Sequence, residues 1–176
     1  FKDGSDVTNA IHIGAGDDNL LITVDPDGDG MGDLYSIGNW NGRGAVASSN
    51  ANCYTAQPVM IGSDDDKTAL TPLTNVRMAA AADVAGFAVT GDGLVYGWGN
   101  TWGGVNGFSK PGTTTQYAHQ VVSGAYQDIS GEQFLTDVKE VAGGQGYAMA
   151  VTKEGYLVYW GNSGGPGGVM PNPNYK

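Results

Sequence analysis

The sequence of 176 residues has little cysteine and little charge. Cys53 is its only cysteine, which excludes an internal disulfide and a zinc site built from cysteines. Charged residues make up 15% of the chain, and no apolar run reaches the ~18 residues of a membrane span, so we expect no segment that inserts into a membrane. The chain opens at Phe1 without a methionine or a signal segment, so we expect a mature or excised piece.

Basic residues are the scarcer charge: 8 Lys and Arg face 18 Asp and Glu, for a net charge of -10. A field of that sign repels phosphate backbones and anionic lipid, so we expect no nucleic-acid partner. An acidic excess on a weakly charged chain favours a secreted protein that meets divalent cations.

Glycine, by contrast, is abundant, with 30 residues, and aromatic residues reach 10%. This combination is typical of many short strands joined by tight turns, so we predict an all-β fold.

The sequence repeats itself with an offset of 62 residues. Leu73–Arg77 matches Leu135–Lys139, and the same offset brings Trp98–Asn100 onto Trp160–Asn162. Ile11–Gly16 begins a third, earlier copy. Each copy reads as strand, glycine turn, strand, hairpin turn and strand, followed by a glycine-rich loop, with one further short strand between copies.

Four short strands in about 60 residues are typical of a propeller blade. We therefore predict propeller-blade-like repeats of short antiparallel strands in one β-repeat domain, residues 1–176. Its predicted parts are a partial copy at 7–40, copies at 41–100 and 101–162, and a tail at 163–176. The register places Trp98 and Trp160 in the blade core.

Three segments carry a resemblance to a known repeat: Ala142-Gly143-Gly144, Ala150-Val151-Thr152 and Trp160-Gly161-Asn162. Together with Val95-Tyr96 and Trp98-Gly99-Asn100 of the preceding copy, they resemble the repeat of the regulator of chromosome condensation. The resemblance implies a β-propeller whose full ring has seven blades. Two periods with partial ends then imply an incomplete ring, or an open array whose free edges invite another chain to pair. Nucleotide exchange on a small GTPase, the best-known activity of that family, is not expected here because the full ring is absent.

The loop from Asp25 to Asp33 reads Asp-x-Asp-x-Asp-Gly-x-x-Asp and predicts a calcium site. The predicted ligands are four carboxylates and one backbone carbonyl, from Asp25, Asp27, Asp29, Met31 and Asp33. Ser36 stands where a helix-loop-helix site would carry glutamate, and the flanking segments read as strands. The loop thus resembles the calcium hairpin of integrin alpha-subunit propeller blades. The alternative interpretation is a solvated acidic turn without an ion.

Other candidate sites are weaker. Ile13–Leu21 partly matches a single toxin-type calcium repeat. Asp64–Asp66 reads as a solvated acidic loop, with a second calcium site as the alternative. Trp40 and Trp102 follow the Asn of their copies in loops that would leave the blade on one face. They are candidates for binding a sugar or a peptide, and packing between blades is the alternative.

No set of catalytic residues stands out, since His12 and His119 occupy different places in the repeat and neither adjoins a Ser or Cys motif. We therefore expect no enzyme. The function expected from the sequence is a calcium-stabilised binding or adhesion module, secreted or on the cell surface, with a protein or glycan ligand. The alternative is a structural subunit of an extracellular filament or pilus that binds copies of itself through exposed strand edges.

Overall fold

The computed structural model describes most of the chain and shows an all-β fold. The described residues are 1, 3–17, 19–38, 53–62, 69–83, 85–100, 105, 107, 114–123 and 134–161. The strands are β1 (Ala10–Ala15), β2 (Asn19–Val24), β3 (Asp33–Gly38), β4 (Cys53–Pro58), β5 (Met60–Ile61), β6 (Thr71–Pro72), β7 (Val76–Ala81), β8 (Ala85–Thr90), β9 (Val95–Asn100), β10 (Thr114–Gln120), β11 (Val138–Gly144), β12 (Tyr147–Thr152) and β13 (Leu157–Gly161). Within these ranges no helix is long and apolar enough to cross a lipid bilayer.

Three sheets follow one another along the chain. Sheet 1 has the order β1-β2-β3-β4, and sheet 3 has the order β11-β12-β13. Sheet 2 consists of the antiparallel run β7-β8-β9-β10, extended by the short strands β5 and β6 beyond β10. Because β5 pairs in parallel with β10 through Ala118 and Ile61, the segment that follows sheet 1 is joined to the outer edge of sheet 2. The predicted fold class, short antiparallel strands in propeller-blade-like repeats, is confirmed.

The same backbone irregularity opens each sheet. A left-handed residue comes directly before a bulge in the first strand, with φ angles of 56°, 56° and 57° at Asn9, Asn75 and Asp137. Its carbonyl accepts a hydrogen bond from the first residue of the hairpin turn of its own sheet: Asp25 for Asn9, Gly91 for Asn75, and Lys153 for Asp137. Asparagine and aspartate tolerate this conformation better than other residues with a side chain. These shared hydrogen bonds show which residues of the three sheets are equivalent.

Two apolar layers separate the three sheets. The layer between sheets 1 and 2 contains Leu21, Leu34, Val76, Ala79 and Trp98, each at most 2% exposed. The layer between sheets 2 and 3 includes the fully buried Phe87, Val89 and Val95. Trp160 borders it and packs edge-to-face on Phe87, with ring centroids 5.7 Å apart. Trp98 therefore lies in the core, as predicted, while Trp160 is half-buried at the border of the second layer.

Small residues on the first strand of each sheet set the spacing of the sheets. A Cβ atom at Gly14 would lie 2.8 Å from the carbonyl oxygen of Ala79 in the next sheet. A Cβ atom at Gly143 would lie 2.8 Å from the Cβ atom of Ala82. Such separations are too short for a real side chain. Neighbouring sheets can therefore approach as closely as they do only because these positions are glycine.

Candidate functional site: the hairpin rim

The hairpin turns of the three sheets form one continuous edge. We call this edge the hairpin rim and define it as residues 25–33, 91–94 and 153–156 together with Asn75 and Asp137. Gly32 and Val76 exchange two backbone hydrogen bonds of 2.9 and 2.8 Å, which join the first turn to sheet 2. The Val138 amide donates to the Gly93 carbonyl at 3.0 Å, which joins the second turn to sheet 3. The first two turns are thus each fixed to the sheet that follows them.

The first turn is longer than the other two. In sheet 2 the Thr90 amide donates to the Leu94 carbonyl, which closes a turn over residues 91–93. In sheet 1 Val24 pairs with Asp33, so residues 25–32 form the connection. The extra residues belong to the aspartate-rich segment, and strands flank it on both sides. The prediction that this segment bridges a β-hairpin is confirmed.

Backbone amides organise the aspartate loop around Asp25. Its carboxylate accepts hydrogen bonds from the amides of Gly28 at 2.7 Å and Gly30 at 2.8 Å. The Asp29 carboxylate accepts one from the Met31 amide at 2.8 Å. The hydrogen bond from the Gly30 amide is the main cause that holds the pKa of Asp25 below its ordinary value, and the partial burial of Asp25 opposes it. Asp25 is thus an ionised, partly desolvated group at the base of the loop.

The loop brings three of the five predicted metal ligands together. One carboxylate oxygen each of Asp25, Asp27 and Asp29 lies within 4.8 Å of the others. Asp33 begins β3 and is not part of this group, while Met31 packs its side chain towards Gly91 of the second turn. Three clustered carboxylates fit a hard cation such as calcium. Calcium binding by this loop nevertheless stays a prediction.

The rim as a whole is acidic. Five of its acidic side chains are exposed, and they come from all three turns and from the residue before β11: Asp27, Asp29, Asp92, Asp137 and Glu154. Lys153 is the only basic residue within the turns 25–33, 91–94 and 153–156. Sequence reasoning found the first loop but missed the continuous surface. A signal for this surface was present in the sequence. Asn75 and Asp137 each precede the hairpin turn of their sheet by the same number of residues, and the turns therefore occupy equivalent positions.

The other predicted candidates do not add to this site. Trp40, Trp102 and Asp64–Asp66 lie outside the described residues. In the toxin-like segment, Gly14 and Gly16 closely approach sheet 2, so their positions have a packing explanation. His12 accepts a 3.4 Å hydrogen bond from the Ala79 amide at its Nδ1 atom, which links sheet 1 to sheet 2.

Antiparallel sheets of this topology that stack face to face through apolar layers are consecutive blades of a β-propeller. The sequence matches no family model and no curated protein. Solved structures do share the fold, and they are structures of the regulator of chromosome condensation type. The chain therefore shares the β-propeller repeat fold of these structures, as the sequence resemblance implied.

One similar structure is Prp20p from Saccharomyces cerevisiae, studied for its binding to Gsp1p and histones, with a TM-score of 0.64 and 19% identity over 98% of this chain. A second is yeast RCC1 (Prp20) in a structure with Kap60, with a TM-score of 0.63 and 19% identity over 98% of this chain. Human WBSCR16 has a TM-score of 0.57 and 19% identity over 86% of this chain. The matches cover 36%, 35% and 33% of those chains respectively, so this chain spans about a third of their length.

The similar structures correct the function and location expected from the sequence. The prediction of a secreted or cell-surface adhesion module is wrong. The description of the chain as a calcium-binding module of that class is also wrong, and so is the alternative of an extracellular filament or pilus subunit. Prp20p is described with histones, which are intracellular proteins, and yeast RCC1 with Kap60. The error came from assigning the acidic excess to divalent cations outside the cell. A negative surface indicates a positively charged partner but does not indicate a compartment.

Proposed function

We propose that this chain is a non-enzymatic protein-binding segment of a propeller, and that its hairpin rim binds a basic protein. The observation that carries the proposal is the row of exposed carboxylates on the rim. Asp27 and Asp29 belong to sheet 1, Asp92 to sheet 2, and Glu154 to sheet 3. The hydrogen bonds from the first two turns to the first strand of the following sheet hold these charges on one edge of the stack.

Charge complementarity determines the kind of partner. An acidic row with a single lysine attracts clusters of lysine and arginine, accelerates their association, and disfavours acidic partners. The whole chain adds to this field, because its net charge is -10. Nucleic acid would meet the same field as a repulsion. A basic protein therefore fits the rim better than any polyanion does.

The similar structures support a protein partner of this chemistry. Prp20p is described by its binding to Gsp1p and to histones, and histones are strongly basic proteins. Yeast RCC1 is described in a structure with Kap60. Because this chain spans about a third of the length of those proteins, the proposal extends to a basic partner as a class and not to a named one.

The test is a binding titration with purified core histones, followed by fluorescence anisotropy at two salt concentrations. The variant Asp92→Asn/Glu154→Gln removes two rim charges without touching the aspartate loop. Its matched control is Asp17→Asn/Asp83→Asn, which removes two charges from the turns at the opposite edge of sheets 1 and 2. We expect the rim variant to weaken binding about 3- to 10-fold at low salt, with a smaller effect at high salt, and the control to bind as wild type.

Two results would overturn the proposal. Absence of histone binding at low salt would exclude a basic partner of this class. Equal weakening by both double variants would show that only net charge matters and that the rim is not the binding surface.

A further inference from the structure

Lys153 places a positive charge within the acidic rim. It is the first residue of the third turn, and its amide donates a hydrogen bond to the carbonyl of Asp137. The same hydrogen bond identifies Asp25 and Gly91 as the equivalent residues of the first two turns. Sheet 3 therefore carries an ammonium group at the position where sheet 1 carries a carboxylate and sheet 2 carries no side chain.

The ammonium group of Lys153 reaches back from sheet 3 to the second turn. A Cβ atom built on Gly93 would lie 3.3 Å from the Nζ atom of Lys153. The same point would lie 3.3 Å from the Cα atom of Asp137, and Asp92 directly precedes Gly93 in the chain. The ammonium thus lies where the second turn meets the start of sheet 3, in a space that is open because Gly93 has no side chain.

No direct contact neutralises this ammonium. Among the residues that the structure describes, the only ion pair joins Lys139 to Glu140, at 3.7 Å. Lys153 and the nearby acidic residues Asp92 and Glu154 are all exposed. Exposed charges still act on one another within a Debye length of about 8–10 Å. Lys153 therefore reduces the negative potential that the second and third turns present to a partner.

We infer that Lys153 determines which basic segments the rim binds, an inference that rests on the proposed function. An unbroken run of lysine and arginine approaches these two turns and meets the ammonium as a like charge, which weakens binding. A basic segment that is interrupted by a glutamate or aspartate meets it differently, since that carboxylate accepts a charge-assisted hydrogen bond from the Nζ atom. Lys153 is thus a repulsive element that shifts the preference of the rim towards interrupted basic segments.

The test compares two synthetic heptapeptides by fluorescence anisotropy at low salt. One consists of lysine only, and the other has glutamate in place of the central lysine. Lys153→Met removes the charge and keeps an unbranched side chain at an exposed position, so the variant is expected to fold, and circular dichroism checks this. We expect it to bind the all-lysine peptide about 2- to 4-fold more tightly than wild type does, and the interrupted peptide no more tightly. The ratio of the two affinities should therefore rise about 2- to 4-fold.

Two further variants separate the position of the charge from its presence. Lys139→Met is the matched control, because it removes the same charge from a 59% exposed lysine that belongs to β11 and not to the turns. It should change the affinities of both peptides equally and leave their ratio as in wild type. Lys153→Arg keeps the charge on the rim and should also retain the wild-type ratio.

The proposed function and this inference fail in different ways. If neither peptide binds wild type, or if Asp92→Asn/Glu154→Gln binds both peptides as wild type does, the rim is not a site for basic segments and both are overturned. If that double variant weakens binding but Lys153→Met changes the ratio of affinities no more than Lys139→Met does, only the inference about Lys153 is overturned.

Discussion

The amide of Val138 donates a 3.0 Å hydrogen bond to the carbonyl of Gly93, and this bond joins the hairpin turn of sheet 2 to the first strand of sheet 3. The equivalent bond in the preceding interface runs from the Val76 amide to the Gly32 carbonyl at 2.8 Å. Sheets stacked only through apolar side chains could slide over one another. A directional bond between backbones at the rim fixes their relative position.

Gly93→Ala should destabilise the protein more than Gly155→Ala. Both glycines have a left-handed backbone, with φ angles of 90° and 88°, so alanine costs about 1–2 kcal/mol at either position. At Gly93 a Cβ would also lie 3.3 Å from Asp137 and from the Val138 amide, whereas at Gly155 it would meet nothing within 4 Å. We expect about 1 kcal/mol of additional loss at Gly93, measured by urea denaturation. Equal losses of stability in the two variants would show that the contact between this turn and sheet 3 does not affect stability.

Thr23→Val should stabilise the protein. The Thr23 hydroxyl is fully buried and has no hydrogen-bond partner among the residues that the structure describes, and the equivalent positions carry Val89 and Val151. Removing a buried, unpaired hydroxyl should add about 1 kcal/mol to the free energy of unfolding. Thr90→Val is the contrasting variant, because the Thr90 hydroxyl accepts a 3.1 Å hydrogen bond from the Leu94 amide, so this variant should lose about 1 kcal/mol. Thermal and urea unfolding of both variants check the prediction, and a destabilised Thr23→Val protein would contradict it.

Arg77→Met should weaken the contact between sheets 2 and 3. The Arg77 guanidinium donates to the carbonyls of Val138, at 3.2 Å, and of Lys139. Lys139 holds the equivalent bulge position in sheet 3, is 59% exposed, and lies 3.7 Å from the Glu140 carboxylate. We expect Arg77→Met to lose about 1 kcal/mol of stability and Lys139→Met to lose almost none, since exposed ion pairs contribute little. The measurement is urea denaturation at low protein concentration, and similar losses in both variants would refute the role of Arg77.

Calcium should raise the melting temperature if the loop binds it as predicted. The carboxylates of Asp25, Asp27 and Asp29 repel one another without a cation. At free calcium of a hundred times Kd, binding would add about 2.7 kcal/mol of stability. Excess chelator should then lower the melting temperature of the wild type but not that of Asp27→Asn/Asp29→Asn, with Asp17→Asn as the control that keeps the shift. A melting curve unchanged by both calcium and chelator would argue against the site.

Local patterns allowed much of the fold to be predicted. The repeat of Leu73–Arg77 at Leu135–Lys139 and the recurring Trp-Gly-Asn predicted the strands, because alternation and glycine turns act over a few residues. The aspartate segment was correctly placed between two strands for the same reason. The compartment was predicted wrongly, since net charge limits the sign of a partner and not its location.

The sequence by itself determined the short strands, their glycine turns and the acidic loop at residues 25–33, because hydrogen bonding and backbone conformation at these points depend on near neighbours. Only the tertiary structure decided that Asp92 and Glu154 share an edge with that loop, that Arg77 reaches across to sheet 3, and that the Lys153 ammonium reaches back to the turn of sheet 2. These relationships depend on how sheets stack, and stacking joins residues more than 60 positions apart, through shape and small side chains such as Gly14 that no local pattern reveals.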